Sequence, residues 1–298
     1  MVLFLRVAIV VWCGIFVFYL IKDCINHKED FKKGHLVTYG IMGTVLNFLD
    51  TLGVGSNATQ MAFFKFTKLS PDDELPGNGN VVFAVPVAAE FILFLNIVEV
   101  DPVTLISMLI ASIIGATLGA RVVTKLPINT LRSILSVTLL FVAILLIARS
   151  LGVGPFAIVG TATALTGSKL IIGIVVNFIL GALMTVGVGL YAPCMALVAL
   201  LGMDITAAFP IMMGSCAFLM PPASIQFVKT GKYNRPAAAV ASVTGVIGVL
   251  IAYFFVKSMP TTILTWIVSL VLVYMSLNFG KTVLKERKNS INDETSKI

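Results

Sequence analysis

Thr51-Leu52-Gly53-Val54-Gly55 breaks an apolar run with two glycines, and the pattern returns 134 residues later, from 51 to 185, as Thr185-Val186-Gly187-Val188-Gly189. The same offset superposes two pairs of prolines, Pro76 with Pro210 and Pro102 with Pro236. Glycines and prolines that coincide at one fixed offset indicate two copies of one structural unit. The sequence therefore predicts two homologous halves, each built around a glycine break.

The composition is that of a membrane protein: 58% of the 298 residues are hydrophobic, 12% are charged and the mean hydropathy is +1.02. Apolar runs of about 20 residues, the length that a transmembrane helix needs, recur from end to end. We therefore expect an all-α, multi-pass protein of the cell membrane, with no soluble catalytic domain and no enzymatic activity. The net charge of +7 does not indicate nucleic acid, because the basic residues lie in loops between the apolar runs.

Neither a metal site nor a cofactor is predicted. The four cysteines form no CxxC pair, and neither histidine lies at metal-ligand spacing. A Walker motif is also absent, so direct use of ATP is not indicated. The expected partners are the lipid bilayer and a small substrate, and no oligomeric state is indicated.

The chain divides into four predicted regions. Residues 2–21 form an apolar run that is too long for a signal peptide and has no counterpart in the second half, so it predicts an extra N-terminal helix. This helix and a basic loop make up residues 1–35, and the first repeat follows at 36–150. The second repeat is expected at 151–282 and a charged, mobile cytoplasmic tail at 283–298.

Each glycine-broken run allows two foldings, a single broken span or a re-entrant hairpin whose arms meet at the glycines. A straight helix over residues 170–203 would reach roughly 50 Å, well beyond a hydrocarbon core of about 30 Å. The positive-inside rule favours the hairpin, because with a cytoplasmic tail 17 of the 21 Lys and Arg then lie inside, against 14 if each run is a single crossing. The four outside are Arg6, Arg149, Lys169 and Lys257. The remaining spans are predicted at 79–98, 103–120, 128–148, 208–228, 236–256 and 260–279.

Under the hairpin model each repeat has three full crossings, and an odd number of crossings inverts the second repeat relative to the first. The N-terminus is then outside and the C-terminus inside, and the two glycine tips meet near the midplane. Pro86 and Pro221-Pro222 fall in the same helix of the two halves, where they predict unwound backbone or, alternatively, a packing kink. Irregular backbone at that depth must be buried in protein or line a cavity.

Candidate substrate-binding residues surround the two breaks. Helix ends that begin at Gly55, Gly189, Pro86 and Pro222 would present free N–H groups to an anion. The candidates are Asn47, Thr51, Gly53, Gly55, Ser56, Asn57, Asn80, Thr185, Gly187, Gly189, Tyr191 and Ser215. Further polar residues at comparable depth include Asn78, Glu90, Asn177 and Gln226.

Asp50 is the candidate coupling residue. An acidic side chain inside a membrane run costs about 2.5 to 3.5 kcal/mol on insertion scales, so its presence calls for a partner, a proton or a function. Met184 occupies the equivalent position of the second half, so the repeat itself does not require an acid. Asp50 would exchange a proton with the aqueous side that the cavity faces. The alternative is a structural role, in which Asp50 binds the freed N–H groups of Gly53 or Gly55.

These motifs carry a family resemblance. The two glycine breaks, the proline-marked helices and the stretch Gly119-Ala-Arg121-Val-Val-Thr-Lys-Leu126-Pro127-Ile-Asn-Thr-Leu131-Arg132 resemble the sulfite exporter TauE/SafE family of membrane permeases, over about residues 36–282. Gly187-Val-Gly189 with Pro193 comes near the family's Gly-Ile-Gly-Gly-Gly break followed by proline. Gly53-Val-Gly55-Ser-Asn57 lacks the later glycine and proline, and Asp50 is added beside it.

The resemblance implies secondary transport, with export expected, of a small anion that contains sulfur, such as sulfite or a sulfonate. Two alternatives stay open at this point. One is a membrane-embedded sulfur-relay protein in which Cys194 carries a covalent intermediate, and the other is a passive anion channel.

Overall fold

The computed structural model describes residues 2–54, 56–95, 100–123, 128–151, 160–184 and 189–295, which form twelve α-helices joined by short loops and 3-10 turns. The helices before residue 151 are α1 Val2–Asn26, α2 Leu36–Thr51, α3 Ser56–Thr67, α4 Leu75–Val81, α5 Ala84–Phe94, α6 Pro102–Val123 and α7 Ile128–Ser150. The later helices are α8 Gly167–Met184, α9 Tyr191–Leu200, α10 Ala208–Thr230, α11 Arg235–Ser258 and α12 Thr261–Thr295.

The all-helical membrane fold class is confirmed. In the described part of the chain, six segments are long and apolar enough to cross a membrane. They are Val2–Asn26, Leu75–Phe94, Gly167–Met184, Ile205–Thr230, Arg235–Ser258 and Thr262–Glu286. Shorter apolar helices lie at Pro102–Leu118, Arg132–Ala148 and Tyr191–Leu200. Large apolar side chains such as Phe4 and Val37 are more than two-thirds exposed, as expected where a helix contacts lipid.

The 134-residue offset matches the helices one by one. It places α2 on α8, α3 on α9, the pair α4 and α5 on α10, α6 on α11, and α7 on α12. Equivalent helices also begin in similar ways. Asp101 accepts a hydrogen bond from the Thr104 amide at the start of α6, and Asn234 accepts one from the Ala237 amide at the start of α11. Both helices therefore begin with a side-chain cap, at positions 101 and 234, which are 133 residues apart, one fewer than the offset of the glycine breaks.

Both glycine-broken runs fold back on themselves. In the first, the ring of Tyr39 near the start of α2 lies 6.4 Å from the ring of Phe64 near the end of α3. In the second, Nζ of Lys169 at the start of α8 donates to the Leu201 carbonyl oxygen just beyond α9, at 3.0 Å. The described residues therefore adopt the hairpin and not the single broken span. We call α2 with α3 hairpin 1 and α8 with α9 hairpin 2.

The first arm of each hairpin packs against the other half of the chain. Helix α2 runs alongside α11, and α8 runs alongside α6. Glycines permit this close approach: a Cβ atom at Gly248 would collide with the Thr44 carbonyl, and one at Gly115 with the Phe178 carbonyl. Gly115 therefore has a packing role between α6 and α8.

The expectation of an unwound helix at Pro221-Pro222 is wrong. Helix α10 runs unbroken from Ala208 to Thr230 with both prolines inside it. Pro222 has no N–H to give to the Phe218 carbonyl one turn earlier. That oxygen instead accepts a hydrogen bond from Nε1 of Trp12 on α1, at 3.1 Å. In the first half a break does occur, at residues 82–83, and Pro86 lies in the first turn of α5, where a missing N–H is tolerated.

The first and last helices are both longer than the apolar runs that predicted them. Helix α1 continues to Asn26, where the Asp23 carboxylate pairs with Nε of Arg235 at 2.6 Å. Helix α12 does not end near residue 279 but continues to Thr295. Glu286, in the segment expected to be a mobile tail, pairs with Nη1 of Arg132 at 2.7 Å. Both terminal helices thus continue beyond their apolar runs, and each forms an ion pair with another helix there.

Candidate functional site

The two hairpins approach each other at their glycine ends. Helix α2 ends at Thr51, and Gly53 follows with φ of 93°, a conformation that favours glycine. A Cβ atom at Gly53 would collide with the Met195 methyl group of α9, so hairpin 1 directly contacts hairpin 2. The main-chain oxygens of Asp50 and Leu49 accept from the amides of Gly53 and Val54 at 2.7 and 3.1 Å, which closes the end of the helix.

Glu90 of α5 joins these two ends. Its side chain is 0% exposed. The hydroxyl of Thr51, from hairpin 1, lies 2.7 Å from Oε1, and the phenol of Tyr191, from hairpin 2, donates to Oε2 at 2.8 Å. The carboxyl group of one residue on α5 thus contacts a residue from each hairpin.

A second carboxyl group lies beside Glu90. Asp50 is 3% exposed and directly precedes Thr51, whose hydroxyl contacts Glu90. Two acidic groups are therefore buried together where the hairpins meet. Such a pair inside a membrane protein is a candidate ion or proton site.

Amide side chains extend the polar centre along both first arms. Asn47 donates from Nδ2 to the Gly43 carbonyl at 2.7 Å, and Asn177 donates to the Met108 carbonyl at 2.7 Å and to Ser215 Oγ at 3.2 Å. The Oδ1 atoms of Asn47 and Asn177 are buried and have no hydrogen-bond partner among the described atoms. Buried acceptors of this kind ordinarily take water or ligand donors.

The structure brings most of the described candidate residues together. Asn47, Asp50, Thr51 and Gly53 line the end of hairpin 1, and Gly189 and Tyr191 lie at the start of α9. Ser215 joins this region through its contact with Asn177. Asn80 is not part of it, because its Nδ2 donates to the Pro76 carbonyl within α4 at 2.9 Å. Gly55, Thr185 and Gly187 lie outside the described residues, and for Ser56 and Asn57 only the backbone is described.

Sequence reasoning missed the central role of Glu90. It appeared among the polar residues at the right depth but not among the candidate site residues. The available signal was the one that identified Asp50, an acid inside an apolar run. Its repeat equivalent is Ser224, which is also 0% exposed and whose Oγ has no partner among the described atoms.

The cysteines of the centre are buried and unpaired thiols. Cys194 is 0% exposed, and Cys216 donates from Sγ to the Met184 sulfur at 3.5 Å. Within the described residues, no group of three or more His, Cys, Asp and Glu side chains is arranged to hold a metal ion.

Comparison with known proteins gives one family. The family model described as Sulfite exporter TauE/SafE matches residues 2–146, which is 145 of the 298 residues and just under half of the chain. The recognition of this family is confirmed. The resemblance was expected over about residues 36–282, whereas the match begins in α1 and ends in α7. Comparisons with curated proteins and with solved structures gave no match.

Proposed function

We propose, on the premise of the match to the sulfite exporter TauE/SafE family, that this multi-pass protein is a secondary transporter of the cell membrane. In this proposal it exports a small anion that contains sulfur, such as sulfite or a sulfonate, and catalyses no chemical reaction. The observation that supports the proposal beyond the match is the meeting of two hairpins, one from each half, at a buried pair of carboxyl groups.

Inverted repeats are part of the proposal. The opposite directions of paired helices from the two halves support this inverted arrangement. Arg132 near the start of α7 pairs with Glu286 near the end of α12, so these two equivalent helices run in opposite directions. Likewise, Phe94 at the end of α5 stacks on Phe209 at the start of α10, with ring centroids 5.1 Å apart. Inverted repeats allow alternating access by rocking one unit against the other around a fixed site.

The hairpins fit this arrangement because they open at opposite ends of the bundle. The open end of hairpin 1 contacts the start of α11, where Asn234 donates to the Leu69 carbonyl at 2.9 Å. The open end of hairpin 2 contacts the loop before α10, where the Asp204 amide donates to the Ala162 carbonyl at 2.9 Å. These contacts lie at the two ends of α10, which spans Ala208–Thr230.

Asp50 is the proposed coupling residue. A charged carboxylate in this environment is unfavourable by about 2.5 to 3.5 kcal/mol on insertion scales, so a cycle that delivers a proton to Asp50 and removes it again would respond to a pH gradient. The unpartnered amide oxygens of Asn47 and Asn177 offer acceptors to a substrate that carries a proton. The starts of α3 and α9, which follow the two glycine breaks, offer N–H donors to the anionic oxygens of the substrate.

The test is sulfite flux into proteoliposomes under an imposed pH gradient. The wild-type protein should accumulate sulfite, and Asp50→Asn should abolish the accumulation while leaving exchange of internal for external sulfite measurable. Asp101→Asn is the matched control, because Asp101 caps the start of α6 and Asn can also accept the hydrogen bond from the Thr104 amide. Normal accumulation by Asp50→Asn would exclude coupling at this residue. Absence of flux for every sulfur anion in the wild type would overturn the transport proposal itself.

A further inference from the structure

We propose that Glu90 is a second proton-carrying group and holds its proton on Oε1 while the two hairpins are closed around it. The assignment deepens the proposed transport and rests on it for the role of the proton in the cycle. The location of the proton rests only on the geometry of the described residues.

The argument begins with the single hydrogen of the Thr51 hydroxyl. Thr51 Oγ1 lies 2.7 Å from Oε1 of Glu90 and 2.8 Å from the main-chain oxygen of Asn47. A hydroxyl group has one hydrogen to donate, and a carboxylate and a carbonyl oxygen can only accept. If Glu90 were ionised, one of these two short oxygen contacts would have no hydrogen between its atoms.

A protonated Glu90 satisfies every contact. Its O–H group donates to Thr51 Oγ1, and the Thr51 hydroxyl then donates to the Asn47 carbonyl. The phenol of Tyr191 donates to the remaining oxygen, Oε2, at 2.8 Å. Three hydrogens thus serve three hydrogen bonds, and the chain of bonds runs from hairpin 2 through α5 to hairpin 1.

The charges around Glu90 agree with a neutral carboxyl group. The residue is 0% exposed, and among the described residues no Lys, Arg or His forms an ion pair with it. The ionisable groups around it are Tyr191 on α9, whose phenol donates to Oε2, Asp50 on α2 and Cys216 on α10. Helices α1 and α11, which also pack against α5, contribute Cys13 and Tyr253 as buried titratable side chains. The basic residues of these two helices all lie among the first or last five residues of their helix: Arg6, Lys22, Arg235 and Lys257. The ionisable groups named above supply no positive charge to Glu90.

Loss of the proton would change the contact of hairpin 1 and the charge at the centre. The proton would pass to water on the side to which the centre opens, and the Thr51 hydroxyl would turn from Asn47 to Glu90. The centre would then hold an added negative charge beside Asp50, and separation of the hairpins would let water reach it. Proton binding therefore favours the closed arrangement, and proton release favours opening.

Infrared spectroscopy of the purified protein tests where the proton resides. A protonated carboxyl group has a C=O stretching band that is distinct from the bands of a carboxylate and shifts in deuterated water. At neutral pH the wild-type band should contain a component that Glu90→Gln loses and Asp50→Asn retains. A band that is unchanged in Glu90→Gln, loss of that component in Asp50→Asn alone, or absence of the band from the wild type would each overturn the proposal.

Tyr191→Phe provides a second measurement that keeps the carboxyl group, in case Glu90→Gln does not fold. Removing the phenol donor from Oε2 should move the C=O band to higher frequency, and an unmoved band in folded protein would contradict the assignment. Neither measurement involves sulfite. Loss of transport with an intact Glu90 band would therefore count against the proposed function, and transport without the band would count against the proton assignment.

Discussion

Replacing Trp12 with phenylalanine should weaken the attachment of α1 to the rest of the protein. Nε1 of Trp12 donates to the Phe218 carbonyl of α10 at 3.1 Å. That oxygen has lost its helical donor because residue 222 is proline. Phenylalanine keeps an aromatic ring at position 12 but has no N–H, so the carbonyl would remain without a donor in an apolar environment.

The size of the effect follows from the type of bond. Hydrogen bonds between helices within a membrane contribute about 0.6 to 2 kcal/mol, because the unfolded state in lipid also finds partners. Trp12 is 42% exposed, so packing of its ring contributes only part of the free energy that full burial of the ring would give. We expect the free energy of unfolding to fall by about 1 to 2 kcal/mol, of which the larger part is the lost bond.

The assay is reversible unfolding in mixed micelles, measured in a double-mutant cycle with Pro222→Ala. Alanine at position 222 restores a main-chain N–H that can donate to the Phe218 carbonyl, so the Trp12→Phe substitution should then have a much smaller effect. The expected coupling free energy is about 0.6 to 2 kcal/mol. Purely additive effects of the two substitutions would refute the compensation of Pro222 by Trp12.

Three further predictions follow from the packing and the arrangement of the helices. A variant with all four cysteines replaced by serine or alanine should fold and transport normally, since the buried thiols of Cys194 and Cys216 serve only in packing. Loss of transport with intact folding would favour a covalent sulfur relay. Gly115→Ala should lower the unfolding free energy by about 1 to 3 kcal/mol because its Cβ meets the Phe178 carbonyl, whereas Gly14→Ala, with open space around it, should not. Reporter domains fused at Met1 and Ile298 should lie on opposite sides of the membrane, and finding both inside would contradict seven crossings.

The repeat offset predicted much of the fold because it is set by local backbone requirements. Two closely spaced glycines weaken an α-helix locally, so Gly53 and Gly55 and their counterparts marked both hairpins without knowledge of any contact. Apolar runs likewise placed α6, α7, α10 and α11 within three residues of their bounds. The length of α12 was underestimated, since its continuation involves a pair with Arg132 that lies far away in the sequence.

The wrong and missing predictions depended on distant contacts. Pro221 and Pro222 suggested a break, but the donor that compensates for Pro222 is Trp12, which lies in the extra N-terminal helix. Glu90 looked like one of several polar residues, because its importance comes from Thr51 and Tyr191, which approach it only after both hairpins have formed. Asp50 was noticed because it stands beside a glycine break, which is a local signal.

The measurement that tests the hairpin centre most directly is thiol labelling of its two tips. Cysteines introduced singly at Ser56 and Leu190 in the cysteine-free variant should react with a membrane-impermeant reagent, and sulfite should reduce both reactions. This result is expected if both tips line one site that opens alternately to each side. Labelling of neither position, or labelling that sulfite leaves unchanged, would contradict a shared central site.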